Sequence, residues 1–219
     1  MMMNPLLLPA LIVSAALAIA AAPWALDLPM LAWVFKPLAT LIVIAHAWQR
    51  GHDRPTVRRW VLVGLVWSLV GDVALLWPKQ GFLPGLVSFL LAHMAYLVAF
   101  TRGLRLAQRP GSFVVYAAIA AVILALLWPG VPGALRAPVV VYVVALSAMA
   151  AQSALLWRSG AARGAVVALG GALFMGSDTL LAINKFMLPL PAASLWILTT
   201  YWAAQWCIAS WLAPAERRP

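Results

Sequence analysis

Long, continuous apolar segments joined by short polar connections are the feature that most limits what this chain can fold into. An α-helix needs about 20 apolar residues to cross the hydrocarbon core of a bilayer. Open sheets and irregular backbone cannot face lipid, because their amide and carbonyl groups would lack partners. The segments also lack the short alternation of an outer-membrane barrel strand. We therefore predict an all-α, polytopic integral membrane protein with eight transmembrane helices over these ranges: 5–22, 29–48, 60–77, 82–100, 112–128, 135–157, 163–184 and 191–212.

The composition indicates that lipid is the main solvent. The chain is 65% hydrophobic and 9% charged, whereas a soluble domain carries about 25% charged residues. No connection is long enough for a soluble domain, so residues 1–219 are predicted to form a single transmembrane domain. One cysteine, Cys207, excludes a disulfide framework and a thiolate cluster. Three scattered histidines without an H-E-x-x-H motif argue against a metal, and we expect no cofactor.

The net charge of +10 could indicate a nucleic-acid partner. The basic residues lie in short loops between apolar segments, however, so membrane topology explains them better and no nucleic-acid partner is expected. Lys79, Arg136 and Lys185 are predicted on one side of the membrane. Eleven basic residues are predicted on the other side: Arg50, Arg54, Arg58, Arg59, Arg102, Arg105, Arg109, Arg158, Arg163, Arg217 and Arg218. The positive-inside rule then predicts cytoplasmic termini in a bacterial inner membrane.

The first apolar segment has two interpretations. Small residues from Ala18 to Ala22 could serve as a signal-peptide cleavage site. The residues before the segment include no Lys or Arg, which a signal peptide normally has. We therefore expect the segment to be retained as the first spanning helix.

A faint internal repeat relates the third and seventh segments. Gly64 to Leu76 reads GLVWSLVGDVALL, and Gly170 to Ala182 reads GGALFMGSDTLLA. An offset of 106 residues aligns Asp72 with Asp178. Two parallel halves of four helices would place both acids at a similar depth, as in transporters built from parallel repeats. Only a handful of positions match, so chance similarity is the competing explanation.

Two of the five acidic residues lie inside predicted spans. Asp27, Asp53 and Glu216 fall in loops or the tail, whereas Asp72 and Asp178 fall about 8 and 9 Å below the outer ends of their helices at 1.5 Å per residue. An acid at membrane depth costs at least about 2.5 kcal/mol and usually faces a cavity or a partner. We predict that both are catalytic; the alternative is a structural pairing, for example of one Asp with Lys36.

Other polar residues are predicted to reach the same outer and central part of the bilayer. Lys36 either binds a lipid head group, neutralises an Asp or extends to the interface. His93 and Tyr96, one turn apart, either contact substrate or form interhelical hydrogen bonds. Tyr201 and Gln205 are also within reach of the middle. We expect Lys36, Asp72, His93, Asp178, Tyr201 and Gln205 to line one water-filled pocket.

Short motifs follow one another in order along these spans. They are Lys36-Pro37, Gly71-Asp72-Val-Ala-Leu-Leu, Ser88-Phe89, Ala92-His93, Tyr96, Gly171-Ala172, Phe174, Ser177-Asp178, Leu181-Ala182, Phe186, and Tyr201 with Gln205. Over nearly the whole chain this set resembles the YhhN-like membrane family. Members of that family with assigned activity are lysoplasmalogenases.

The resemblance implies an enzyme that cleaves the vinyl ether bond of a 1-alkenyl lysophospholipid. The products would be a fatty aldehyde and glycerophosphoethanolamine or glycerophosphocholine. It also implies eight spans and a role for the two intramembrane Asp residues. The substrate-binding residues expected on this basis are Lys36, His93, Tyr96, Ser177, Asn184, Tyr201 and Gln205, with the head group near Lys36, Asn184 and Lys185 and the tail in the surrounding hydrocarbon.

Vinyl ether hydrolysis suits two carboxyl groups in different environments. One acid protonates the β-carbon, and water then adds to the oxocarbenium ion, much as two carboxyl groups divide the work in inverting glycosidases. We assign Asp178 as the acid and Asp72 as the base that orients water, because unlike surroundings can separate the two roles.

Other functions are compatible with buried acids. A proton-coupled transporter is the main alternative, since intramembrane acids in repeated halves are typical of transporters. An intramembrane aspartyl protease is disfavoured, because Leu69 stands where its G-x-G-D motif needs Gly and Ser177 stands where its Tyr-Asp motif needs Tyr. A purely structural membrane protein is the third possibility.

Overall fold

In the computed structural model, residues 4–77 and 79–214 are described, and these residues are helical almost throughout. Pro78 and the tail with Glu216, Arg217 and Arg218 lie outside the described residues. The helices are α1 Leu7–Ala20, α2 Pro29–Trp48, α3 Pro55–Ala74, α4 Phe82–Phe100, α5 Gly111–Leu127, α6 Gly133–Arg158, α7 Gly164–Phe186 and α8 Ala193–Trp211, with a 3₁₀ turn over Trp128–Gly130. Extended pairing within the described part is limited to an isolated bridge between Arg50 and Pro214. The all-α prediction is confirmed.

Within the described ranges, five helices are long and apolar enough to cross a bilayer: α2, α4, α5 with its 3₁₀ turn, α6 and α7. α1 is apolar but has only 14 residues. Large apolar side chains point outward around the molecule; Ile12, Val122 and Val144, for example, are each about 60% exposed or more. A soluble monomer rarely exposes so much apolar surface to water. The chain is therefore an α-helical integral membrane protein.

Helix ends differ from the predicted segments where polar residues continue a helix. α3 begins at Pro55 rather than at 60, because proline is favoured in the first turn and the basic residues Arg58 and Arg59 do not interrupt helical backbone bonding. α6 gains two residues at its start and one at its end. Apolarity marks the part of a helix that suits lipid, and the helix itself extends beyond it.

Six helices form a closed ring in which each packs against the next. The order around the ring is α2, α3, α4, α6, α7 and α8, and α8 packs back against α2. α1 lies outside against α2 and α8, and α5 lies outside against α6 and α7. The interior of the ring contains the buried polar side chains Thr40, Ser68, Asp72, His93 and Gln205.

Small residues bring α3 close to α4. A methyl group on Gly64 would collide with the ring of Tyr96, and one on Gly71 would collide with the ring of Phe89. Glycine at these positions lets two aromatic rings lie directly against the α3 backbone, as small residues commonly do between membrane helices. Because of this contact, the side chains of Tyr96 and Phe89 are positioned toward the interior of the six-helix ring.

Arginines hold the end of α8 where the ring closes. Arg50 donates from Nε to the carbonyl of Leu212 at 2.9 Å, and Arg163 donates from Nη1 to the carbonyl of Ser210 at 2.6 Å. The last carbonyls of a helix lack partners within the helix, and the helix dipole attracts cations there. These bonds tie α8 to the loops after α2 and before α7.

Candidate active site

Asp72 lies on α3 and is 1% exposed. Its Oδ2 accepts hydrogen bonds from Thr40 Oγ1 at 2.5 Å and from Tyr201 Oη at 2.7 Å. Thr40 in turn accepts a bond from Trp202 Nε1 at 3.1 Å. Side chains from α2, α3 and α8 therefore meet on one carboxyl group, at the point where the ring of helices closes.

Lys36 is the cation of this group. Its Nζ lies 3.7 Å from Asp72 Oδ1 and donates to the backbone carbonyl of Asp72 at 3.2 Å. The Lys36 side chain is 12% exposed, so it points into the bundle rather than toward the interface. A buried carboxylate needs a paired charge and hydrogen-bond donors, and Asp72 has both.

Asp178, on α7, has different surroundings. Its Oδ2 accepts a bond from Tyr142 Oη at 2.5 Å, and His93 Nε2 lies 3.7 Å away. No Lys or Arg pairs with Asp178 among the described residues. His93 is 0% exposed, and neither of its ring nitrogens has a hydrogen-bond partner within the described part of the chain. Buried polar atoms without a partner are unusual and often mark a functional site.

An apolar cavity of about 70 Å³ opens beside Asp178. Its wall comes mainly from α4, α5, α6 and α7 and includes Phe89, Ala120 and Met175. The polar side chains on this wall are Asp178, Tyr142 and Thr179. Asp72 and Lys36 are not part of it. A carboxyl group on the wall of an otherwise apolar pocket is a typical arrangement for a ligand site.

Aromatic rings lie between the two carboxyl groups. The Phe174 ring packs against Tyr201, with centroids 5.6 Å apart, and against His93 at 4.7 Å. The Phe89 ring lies 5.8 Å from that of Tyr201 and also lines the cavity beside Asp178. Each acid thus contacts an aromatic cluster through a partner side chain, and the two acids occupy neighbouring but distinct environments.

Tyr96 and Gln205 form a third polar group, near those of Asp72 and Asp178. Tyr96 Oη donates to Gln205 Oε1 at 2.6 Å and lies 3.4 Å from Ser68 Oγ. Gln205 Nε2 is buried without a partner among the described residues. Tyr96 also packs against Phe174 at 6.3 Å. The predicted residues thus gather inside the ring, but they form three groups around the aromatic cluster and do not all line one pocket.

The remaining predicted residues make local contacts. Ser177 Oγ donates to the carbonyl of Ile197 at 3.0 Å and so joins α7 to α8. Asn184 Oδ1 accepts the amide of Leu190 at 2.9 Å and fixes the connection after α7. Lys185 lies with its Nζ 5.0 Å from the centroid of the Phe82 ring.

Sequence reasoning missed two direct partners of the acids, Thr40 and Tyr142. Thr40 follows Lys36 by one helical turn, a spacing that places both on one face. Tyr142 precedes Asp178 by 36 residues, and Lys36 precedes Asp72 by the same 36. Applying the 106-residue offset to Lys36 would therefore have identified Tyr142.

Fold and site define a polytopic helical membrane protein that encloses two carboxyl groups in a ring of six helices. The chain belongs to the YhhN family, which it matches over residues 31–212. It is 39% identical to lysoplasmalogenase TMEM86A of Homo sapiens over 81% of this chain and 74% of that protein. It is 34% identical to lysoplasmalogenase of Mycobacterium tuberculosis over 80% of this chain and 68% of that protein. The family resemblance predicted from the motifs is confirmed. No solved structure matches the chain.

The Lys36–Asp72 pair predicts a strong dependence of stability on both partners. Lys36→Met should lower the free energy of unfolding by about 3 kcal/mol, because it leaves a buried carboxylate without its cation. Adding Asp72→Asn to that variant should restore part of the loss, since the uncompensated charge is then removed. Thermal unfolding in detergent for the two single variants and the double variant measures this coupling.

Lys185→Met is the matched control, because Lys185 is exposed; it should change stability by less than about 1 kcal/mol. Strictly additive effects of Lys36→Met and Asp72→Asn would show that the pair is not coupled.

Proposed function

We propose that this protein hydrolyses the vinyl ether bond of 1-alkenyl lysophospholipids within the membrane. The products are a fatty aldehyde and glycerophosphoethanolamine or glycerophosphocholine. The observation that carries the proposal is the pair of buried acids with unlike partners, in a chain whose relatives over most of its length are named lysoplasmalogenase. The substrate class comes from those relatives, and the assignment of roles comes from the geometry.

The surroundings of Asp178 favour it as the acid. Hydrolysis begins with proton transfer to the β-carbon of the vinyl ether, which is the carbon that bears the hydrocarbon chain. The donor must therefore lie against the apolar part of the substrate. Asp178 is on the wall of the apolar cavity, and no Lys or Arg in the described part of the chain pairs with it. Desolvation without a cation favours the protonated acid.

Asp72 is suited to the opposite role. The ammonium of Lys36 and two hydroxyl donors favour its charged form, in which a carboxylate can accept a proton from water. Asp178 gives its proton to the β-carbon, and the oxygen of a water molecule bonds to the oxocarbenium carbon while Asp72 takes a water proton. The bond between the hemiacetal carbon and the glycerol oxygen then breaks, and the glycerol oxygen takes the proton from Asp72. The hydroxyl proton of the hemiacetal passes to Asp178.

Phe89 lies between the Asp178 side of the site, where the substrate is protonated, and the Asp72 side, where water loses a proton. Its ring lines the cavity and packs against Tyr201, the hydrogen-bond donor to Asp72. In this proposal the reacting water lies at the edge of this ring, between the substrate and Asp72. His93 Nε2 lies 3.7 Å from Asp178 Oδ2 and has no hydrogen-bond partner among the described residues, so it provides an additional acceptor for the same water.

We further propose that all eight helices span the membrane as two related halves of four. The contacts support the relation: α2 with α3 corresponds to α6 with α7, α3 with α4 to α7 with α8, and α2 with α8 to α6 with α4. Lys36 and Tyr142 occupy equivalent positions beside the two acids. In this scheme Lys36 makes Asp72 the base in one half, and Tyr142 leaves Asp178 as the acid in the other.

The distribution of basic residues supports an orientation with cytoplasmic termini, which we propose for a bacterial inner membrane. The end of the ring at which Arg50 and Arg163 hold α8 is the end with the larger number of basic residues. The rule that positive loops stay inside places this end in the cytoplasm. Both catalytic groups then lie in the outer half of the bilayer.

The first prediction from this proposal concerns the two acids. Purified protein in mild detergent should release aldehyde from 1-alkenyl lysophosphatidylethanolamine, followed with an aldehyde-dependent dehydrogenase. Asp72→Asn and Asp178→Asn should each lower kcat at least about a hundredfold, the usual cost of removing an acid or base. Retention of full activity by either folded variant would remove that residue from the mechanism. If Asp72→Asn is active and His93→Gln is not, His93 is the base.

Tyr142 offers a test of the protonation state. Tyr142→Lys places an ammonium beside Asp178, as Lys36 stands beside Asp72, and should lower kcat at least about a hundredfold because the carboxyl group becomes charged. Tyr142→Met, similar to Lys in length but neutral, and Tyr142→Phe should lose about tenfold or less, the value of one hydrogen bond. Equal activity of the Lys and Met variants would contradict a neutral Asp178.

Labelling of single cysteines tests the orientation and the first span. In a Cys207→Ala background, Lys79→Cys should react with a membrane-impermeant maleimide added to intact spheroplasts. Asn4→Cys and Arg105→Cys should react only after lysis, because the rule places their loops in the cytoplasm. Labelling of Asn4→Cys in intact spheroplasts would mean that α1 does not cross.

A further inference from the structure

We propose that the apolar cavity beside Asp178 is the binding site for the part of the substrate's hydrocarbon chain next to the vinyl ether, which enters from the lipid past α5. This inference rests on the proposed function, since it identifies the occupant of the same site. It differs from the expectation that the whole tail stays in the bilayer.

The position of the cavity provides the first argument. α5 lies outside the ring of six helices, and it separates the cavity from lipid. Ala120, Ile123 and Leu124 on one side of α5 line the cavity, whereas Val114 and Val122 are 66% and 61% exposed on the outside. Only one helix therefore stands between the lipid and Asp178 on this side.

The chemistry of the reacting bond provides the second argument. The β-carbon that receives the proton is bonded directly to the first methylene of the chain. A substrate with this carbon at Asp178 necessarily places its adjoining methylenes against the neighbouring wall. That wall is apolar apart from Tyr142 and Thr179, so it suits a hydrocarbon chain and would desolvate a charged head group at a cost.

The two ends of the cavity differ in charge. Phe82 and Phe186 line one end and pack together at 5.7 Å, and the ammonium of Lys185 lies over the Phe82 ring. Phe186 is about 12 Å along α7 from Asp178 at 1.5 Å per residue. Lys185 is therefore positioned for the phosphate, and the chain extends from Asp178 in the direction of Ala120 and Met175.

Photolabelling tests this site without requiring turnover. The probe is a saturated 1-alkyl lysophosphatidylethanolamine, which cannot be hydrolysed by this route, with a diazirine on the chain close to the ether oxygen. The label should fall on peptides of the four helices that line the cavity, α4, α5, α6 and α7. Excess long-chain fatty alcohol should compete with it, whereas glycerophosphoethanolamine should not. Label confined to other helices, or competition only by the head-group compound, would overturn the proposal.

Two adjacent alanines on α5 give a matched pair of variants. Ala120→Phe fills the cavity and should lower labelling and kcat/KM about tenfold or more, the usual consequence of a steric change in an apolar pocket. Ala121→Phe, the same substitution on the exposed side of α5, should change both by less than about twofold. If Ala120→Phe does not fold, Leu124→Phe repeats the test from the next turn of the helix.

The outcomes separate the two proposals. Labelling of α4 to α7 with no aldehyde from any 1-alkenyl substrate would reject the hydrolysis and keep the lipid site. Aldehyde release with unchanged kinetics and labelling in Ala120→Phe would keep the hydrolysis and reject the cavity as the chain site.

Discussion

A buried carboxylate requires a cation and hydrogen-bond donors, and the packing around Asp72 is organised by that requirement. Lys36 and Thr40 reach it from α2, and Tyr201 reaches it from α8. These helices come from opposite ends of the chain and meet where the ring closes. A hydrogen-bonded charge pair in a medium without water is costly to break, so this group fixes how the two ends of the chain associate.

The second carboxyl group lies in surroundings unlike those of the first. Asp178 on α7 is bonded by Tyr142, 36 residues before it, whereas Asp72 on α3 is paired with Lys36, also 36 residues before it. Replacing a cation by a phenol removes the charge that would hold a carboxylate, and the neighbouring space is an apolar cavity rather than a hydrogen-bonded network. The physical difference between the two sites therefore comes from a few residues on otherwise similar helices, in a chain of the YhhN family.

The sequence predicted the helices well because the bilayer restricts the choice so strongly. The helical class follows from apolar length and backbone bonding, and the depth of Asp72 and Asp178 follows from helix geometry. The pairing of Lys36 with one acid was among the alternatives. Thr40 and Tyr142 could not be identified from residue type, because hydroxyl groups are common in membrane helices and their role depends on which helix they face. Gln205 was expected to line the common pocket, but it accepts a hydrogen bond from Tyr96, which packs against the Phe174 ring.

By itself, the sequence determined that this is a helical membrane protein with two acids inside its apolar segments, because hydrophobic length and residue type are local properties. The family followed from motifs that are also local. The tertiary structure alone decided that Asp72 is enclosed by partners while Asp178 lies on an apolar cavity, and that Phe89 and Phe174 separate them. Those facts depend on which faces of distant helices meet. No local pattern encodes such contacts, since the same side chain can face lipid, a partner or a cavity according to the rotation of its helix.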